Sequence, residues 1–247
     1  MKTTGALSAA SPPASGDWAL WQIIDSLYPT GGFAHSLGLE AAAQEGLVKN
    51  AVSLRAFVSS SLHQAADFAL PLVFSSYQIV ASAADFVDSV LGLNSRATAL
   101  YSNHVARKAS FAQGSALLRL AVSTYAPTFP RMDVLLEIRK AVKKQKQEGI
   151  HHAVLFGVVC ALLAVDVEST QRMYLYVSTR DVLSAATRLN LVGPLEAARL
   201  QFEVAPLLEK VFLDKKNREV EESYSSAPIL DLVQAMHDQL YTRIFNS

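Results

Sequence analysis

The chain has almost no cysteine. Cys160 is the only one among 247 residues, which excludes an internal disulfide and any metal site built from several thiolates. It lies inside the apolar run 153–165, where we expect a buried and unreactive thiol. The run is too short to cross a bilayer and is bounded by His151, His152 and Asp166, so it predicts a core helix.

The chain also has no excess of positive or negative charge. The 22 basic and 22 acidic residues balance, which does not favour a general nucleic-acid binder. Apolar residues make up 51% and charged ones 18%, a composition that favours a large core and apolar surface covered by a partner. Residues 1–17 predict a disordered tail without the apolar stretch of a secretory signal, so we expect a cytoplasmic protein away from membranes.

Catalytic motifs are missing as well. The sequence has no phosphate-binding loop, dinucleotide fingerprint, G-x-S-x-G elbow or H-E-x-x-H pair. His35, Ser36 and Glu40 lack an identifiable orienting carboxylate, and the spacing of His35 and Glu40 does not suit a shared metal ion. Adjacent His151 and His152 point to different sides of a helix and are predicted to be capping or surface residues. We therefore expect no enzyme and no bound cofactor.

Apolar residues recur with helical periodicity along the whole chain, and alternation typical of strands is absent. This pattern predicts an all-α fold, a single-domain multi-helix bundle over residues 18–247. Local signals predict a kink near Pro71 and a helix stop at 92–95. Ser169 or Thr170 is the predicted cap of a long central helix.

A glycine- and proline-rich stretch interrupts this helical pattern near the start of the bundle. Pro29 ends the first helix, and the glycine pair 31–32 permits positive φ or close backbone approach. A second helix is predicted to start near His35 or Ser36. From the residues alone, the stretch is either a helix corner with a buried Phe33 and capping polar groups, or a functional segment. In the second interpretation His35, Ser36 and Glu40 form an exposed polar set, and both interpretations stay open.

Three charged or apolar features need partners. The lysine-rich segment 132–148 predicts a solvated helix face, or alternatively a site for an acidic partner or a nucleotide phosphate. Arg180 and Asp181 are adjacent, so we expect them on different faces with separate partners. Segment 241–245 carries large apolar side chains near the end of the sequence, and we expect it to dock on this chain or on another.

Short motifs in a fixed order cover most of the chain. They are Asp25-Ser26, Pro29–Ser36, Gly38–Glu40, Ala109-Ser110, Gln113–Leu117, His151–Ala153, Phe156-Gly157, Arg180–Pro194, Pro228, Leu230-Asp231 and His237–Ser247. Together they resemble the urease accessory protein F family, and above all its plant-like eukaryotic members. Val154 departs from the pattern, because a proline is expected there.

The resemblance implies an all-helical, non-enzymatic adaptor that pairs as a homodimer. Such proteins bind the D (also called H) accessory protein and recruit the G accessory GTPase, and the assembly inserts nickel into apo-urease. Nickel is then the delivered ion and not a bound cofactor. The alternative is a metallochaperone that itself holds nickel through His35, His151 or His152.

The resemblance also implies which residues serve assembly, with the end of the chain at the D-protein interface. The expected partner-binding and assembly residues are Gly31, Gly32, Phe33, His35, Ser36, Glu40, Arg180, Arg188, Asp231, His237, Tyr241, Arg243 and Phe245. No catalytic or metal-binding residue is implied.

Overall fold

A computed structural model describes residues 15–82 and 85–247, with side chains from Trp18 onward. The predicted tail therefore lies outside the described residues, apart from the backbone of 15–17. The helices are α1 (Ser15–Ile24), α2 (Leu39–Gln44), α3 (Ala51–Gln64), α4 (Leu70–Ser82), α5 (Val87–Leu100), α6 (His104–Thr124), α7 (Val134–Lys144), α8 (His152–Leu162), α9 (Val167–Arg188), α10 (Pro194–Lys215) and α11 (Pro228–Ala235). No strand occurs in the described ranges. The predicted all-α bundle is confirmed.

Helix α8 is the centre of the bundle. All its residues are buried, because its sequence offers no charged side chain to solvent. Gly157 lets α4 approach closely, since a Cβ there would lie 2.3 Å from the carbonyl oxygen of Val73. Cys160 is buried as predicted, and desolvation raises the pKa of its thiol to about 12. The helix begins at His152 even though Val154 stands where a proline was expected.

The predicted kink near Pro71 takes the form of a π-helix just before it. Residues Ala65–Ala69 form this wide turn between α3 and α4. Pro71 has no N–H and its ring crowds the carbonyl of the residue four positions earlier, Asp67. That carbonyl instead accepts a hydrogen bond of 3.2 Å from the N–H of Tyr224. The irregular turn thus anchors the connection between α10 and α11.

The predicted helix stop at 92–95 is wrong. Helix α5 runs through it to Leu100, because Asn94 is fully buried and has partners that are distant in sequence. Its side chain donates to the carbonyl of Gly149 (2.8 Å) and accepts from the N–H of His151 (2.8 Å). The real break follows Leu100, and the side chain of Asn103 caps α6.

Two predicted helix starts are also displaced. The side chain of Asp166 caps α9 by accepting from the N–H of Ser169 (2.8 Å), so neither Ser169 nor Thr170 is the cap. Helix α2 starts at Leu39 and not at positions 35–36, which remain outside the helix and are free to bind another segment. None of the helices in 15–82 and 85–247 has the length and apolarity needed to cross a membrane.

Candidate assembly site

The segment from Tyr28 to Glu40, here called the corner, turns the chain from α1 into α2. Its backbone is left-handed at Gly31 (φ +82°) and Gly38 (φ +88°), a conformation that glycine adopts without strain. Between them, Gly32–Ala34 form a single 3₁₀ turn. Phe33 is 58% exposed, so the burial expected of it in a simple helix corner is wrong. The corner presents its aromatic ring outward.

Gly32 packs directly on α9. A Cβ at this position would lie 2.3 Å from Oδ2 of Asp181, so only glycine fits. Oδ1 of Asp181 accepts hydrogen bonds from Nε (3.1 Å) and Nη2 (2.7 Å) of Arg180. The separate partner expected for Arg180 is present, because its Nη1 donates to the carbonyl of Ile24 (2.5 Å). The separate partner expected for Asp181 is wrong, because the long arginine side chain folds back onto its neighbour. Burial raises the pKa of Asp181, and the guanidinium opposes that shift.

Arg188 links the corner to residues 240–247, here called the tail segment. Its Nη1 donates a hydrogen bond to the carbonyl of Phe33. Its guanidinium also lies over two aromatic rings, 4.2 Å from the centroid of Phe245 and 5.7 Å from that of Phe33. Such cation–π contacts favour a guanidinium held against a ring face. One side chain of α9 thus contacts both the corner and the tail segment.

The carboxylate of Glu40 holds the backbone of the tail segment. Its Oε1 accepts from the N–H of Ile244 (2.6 Å) and its Oε2 from the N–H of Phe245 (3.1 Å). Glu40 is 1% exposed, and a buried carboxylate is tolerated only when donors of this kind surround it. The tail segment therefore docks on this chain, one of the two alternatives that the sequence left open.

His35 and Ser36 hold the last residue, Ser247. Nδ1 of His35 lies 2.6 Å from Oγ of Ser247. The N–H of Ser36 (2.6 Å) and its hydroxyl (3.1 Å) both donate to the main-chain oxygen of Ser247. Desolvation lowers the pKa of His35 to about 4, with a smaller contribution from His237, so this imidazole is neutral at pH 7.

His237 lies beneath the tail segment and is completely buried. Its Nε2 donates to the carbonyl of Phe245 (3.2 Å), while Nδ1 has no hydrogen-bond partner among the described residues and lies 3.9 Å from Oε2 of Glu40. The expectation that His35, Ser36 and Glu40 form an exposed polar set is therefore wrong. These side chains point inward and bind another part of the same chain.

Other side chains of the tail segment face outward. Tyr241 is fully exposed and Ile244 is 60% exposed. Arg243 lies 3.4 Å from a carboxylate oxygen of Asp238, at a half-exposed position. The tail segment therefore has a buried side that contacts the corner and an outer side on which Tyr241 and Ile244 are exposed.

His151 and His152 are buried, so their predicted capping or surface role is wrong. Nδ1 of His151 lies 3.0 Å from Oγ of Ser110, and Nε2 lies 3.1 Å from Oγ1 of Thr98. Its ring stacks on Phe111 with centroids 4.0 Å apart. Burial lowers the pKa of both histidines to about 4. They are neutral core residues at pH 7.

A cavity of about 170 Å³ lies beneath the corner and is lined in part by Gly32, His152, Asp181 and Asp231. The carboxylate of Asp231 accepts a hydrogen bond from Oγ of Ser225. Among the described residues, no group of three or more His, Cys, Asp or Glu side chains is arranged to hold a metal ion. The cavity therefore offers hydrogen-bonding groups and not a set of metal ligands.

Helix α10 carries an apolar face that we did not identify from the sequence. We call Leu195, Ala198, Phe202 and Ala205 the outer stripe. Leu195 is 89% exposed and Phe202 is 81% exposed, whereas α10 buries Leu200 and Val204 in the core. A helix that is apolar on two faces has one face free for a second contact. The signal in the sequence was the recurrence of apolar residues on both faces of this helix.

Comparison with known proteins agrees with the motifs. The family model described as UreF matches residues 48–205. The chain is 43% identical over 238 residues to "Urease accessory protein F" of Oryza sativa subsp. japonica, covering 96% of this chain and 88% of that protein. It is 43% identical over 230 residues to the Arabidopsis thaliana protein of the same name, covering 93% and 92%. A bacterial relative, "Urease accessory protein UreF" of Trichodesmium erythraeum, is 27% identical over 235 residues, covering 92% and 95%.

The family model and these relatives place the chain in the class of urease accessory proteins. Within that class the chain belongs to the UreF family, and the membership expected from the motifs is confirmed.

Proposed function

We propose that this protein is a non-enzymatic adaptor. In this proposal it bridges the D (H) accessory protein and the G accessory GTPase and thereby promotes nickel insertion into apo-urease. The observation that carries the proposal is the tail segment, whose backbone is fixed by the corner while Tyr241 and Ile244 remain exposed.

The tail segment has the properties of a preorganised binding surface. Because Glu40 holds the two N–H groups at Ile244 and Phe245, a partner does not have to order this backbone on binding. Tyrosine and arginine are the residue types that contribute most at interface centres, and Tyr241 and Arg243 are both at least partly exposed. We assign this outer side to the D protein.

We further propose that the adaptor acts as a homodimer through the outer stripe. A twofold axis near Ala198 would place two copies of α10 antiparallel, with Leu195 of each copy beside Phe202 of the other. Such a contact uses the same patch on both copies, which is the commonest symmetry among soluble oligomers. Ala198 at the centre is small enough to let the two helices approach.

Reconstitution tests the adaptor role. The purified chain is mixed with the D protein, the G protein, apo-urease and nickel, and urease activity is measured. We expect activity only when this chain is present; full activation without it would refute the proposal.

Surface variants then test the tail segment. The double variant Tyr241→Ser/Ile244→Ser should lose co-purification with the D protein, with an unchanged melting temperature because both side chains are exposed. Leu213→Ser, which removes a 55% exposed side chain outside the tail segment, is the matched control. Equal co-purification of the double variant and the wild type would show that the D protein binds elsewhere.

Equilibrium dialysis with nickel addresses the metallochaperone alternative. Nothing specific in the site favours it, because His151 uses both ring nitrogens in contacts with protein side chains and His35 contacts Ser247. We expect no tight stoichiometric binding by the isolated chain. Tight binding that is lost in His35→Ala, His151→Ala or His152→Ala would replace the adaptor with a carrier.

A further inference from the structure

Charge is unevenly distributed in this net-neutral chain. Residues 104–148 contain nine of the 22 basic residues and three of the 22 acidic ones, a formal charge of +6. The remainder of the chain therefore carries −6. The strongest concentration is on α7 and the turn after it, where Arg139, Lys140, Lys143, Lys144 and Lys146 are all exposed. We call these five residues the basic face.

The basic face has no acidic partner in the described part of the molecule. Of the twelve basic residues described outside 104–148, nine form an ion pair with an acidic side chain. None of the nine within 104–148 forms an ion pair with any described residue. The solvated helix face predicted for 132–148 is present on α7, which is shorter than predicted (Val134–Lys144), and its basic side chains form no ion pair with a described residue.

Helix stability does not account for the whole basic face. Lys143 and Lys144 lie in the last turn of α7, where cations interact favourably with the helix dipole. Arg139 and Lys140 precede that turn, where this effect has decayed. The opposite side of the helix packs in the core, where Leu135 and Ile138 are buried. The charges on the outer side are therefore available for an intermolecular contact.

We propose that the basic face of α7 docks an acidic surface of a partner protein. This inference goes beyond the proposed function, which uses the tail segment and the outer stripe. A membrane is a poor partner because no large apolar side chain between 104 and 148 is exposed for insertion. A nucleic acid is disfavoured because the −6 remainder cancels the long-range attraction that a polyanion requires. A compact acidic protein surface can bind through short-range contacts alone. At distances beyond the Debye length of about 8 Å, the negative charges elsewhere on the chain are screened.

The test compares two double charge reversals that change the net charge equally. Arg139→Glu/Lys140→Glu alters the basic face before the last helical turn. Lys49→Glu/Lys210→Glu is the control, at two exposed positions without an ion pair to any described residue. Binding of a labelled glutamate-rich peptide to the full chain is followed by fluorescence anisotropy, and melting temperatures verify folding.

We expect the peptide to bind the wild type and the control equally and the α7 variant about tenfold or more weakly, with an affinity that falls as salt rises. Failure of the wild type to bind, or an equal loss in both variants, would overturn the proposal. A single-stranded oligonucleotide of equal charge and vesicles of anionic phospholipid serve as competitors. Tighter binding of either one than of the peptide would also overturn it.

None of these outcomes depends on urease activation, so the adaptor proposal can fail or hold independently.

Discussion

The corner and the outer stripe are opposites in composition and exposure. The corner is rich in polar groups, yet His35, Ser36 and Glu40 are buried and satisfied by the tail segment. The outer stripe is apolar, yet it lies in solvent without a partner in the described chain. The motif residues of the corner thus bind another part of the same chain, whereas the outer stripe lies outside the motifs and is exposed. Four experiments separate the two regions, from the largest expected change in folding stability to the smallest.

Acid should have the largest effect on folding stability, through three buried histidines. His35 lies in the corner, and His151 and His152 lie in the core. The pKa values of His35, His151 and His152 are each lowered from 6.5 to about 4, so the unfolded chain binds protons that the folded chain excludes. Stability is then fully present above pH 6.5 and falls as the pH drops towards 4. Between pH 6.5 and 5 each histidine contributes a loss of about 2 kcal/mol. Urea unfolding at several pH values measures this slope.

One variant tests the acid effect. His152→Gln should flatten the slope, because it removes one imidazole that the folded chain keeps neutral. An identical slope for wild type and His152→Gln would contradict the assignment of a neutral buried imidazole.

Gly32→Val should destabilise the folded chain by disrupting the packing of the corner on α9. The Cβ of the new side chain would lie 2.3 Å from Oδ2 of Asp181, and this collision would separate Asp181 from Arg180. Breaking a buried ion pair costs about 3–5 kcal/mol. Gly31→Ala is the control, because its Cβ would meet nothing within 4 Å and only the positive φ adds about 1–2 kcal/mol. Equal unfolding midpoints for the two variants would exclude close packing as the reason for Gly32.

Glu40→Gln should loosen the tail segment without unfolding the bundle. The amide keeps the shape but presents an NH₂ group to one backbone donor, at a cost of about 2 kcal/mol. Amide hydrogen exchange at Ile244 and Phe245 should accelerate. Gln44→Ala, which removes one exposed hydrogen bond to Thr242, should have a smaller effect. Unchanged exchange in Glu40→Gln would mean that the carboxylate does not hold the tail segment.

Phe202→Ser should leave the monomer almost as stable as the wild type, within about 0.5 kcal/mol, because the ring is exposed. Val204→Ala, two residues further on the buried side, should cost about 2 kcal/mol. Sedimentation velocity should show that only Phe202→Ser abolishes self-association. A dimer that persists in this variant would remove the outer stripe as its interface.

The sequence was sufficient for the fold class, because helical periodicity is a local property of the chain. It also predicted the family, since many modest motifs in a fixed order are specific together. It failed at Asn94, which has the composition of a helix stop but is satisfied by Gly149 and His151 across the core. Long-range partners of this kind leave no local pattern.

The site was predicted less well than the fold. The sequence placed Glu40 and His35 in an important segment but could not show that they face inward, because their partners lie more than 200 residues away. It also did not identify the outer stripe, the second apolar face of α10. Whether the predicted assembly residues contact partners stays a prediction.

The π-helix before Pro71 has a consequence for how this chain can change. The proline lacks an N–H, so Asp67 keeps a carbonyl free to bind Tyr224. An alanine at position 71 would supply a donor that competes for this acceptor and would favour a regular α-turn. Pro71 thus leaves the carbonyl of Asp67 available to a segment more than 150 residues away, and it helps in this way to hold the connection that leads to α11.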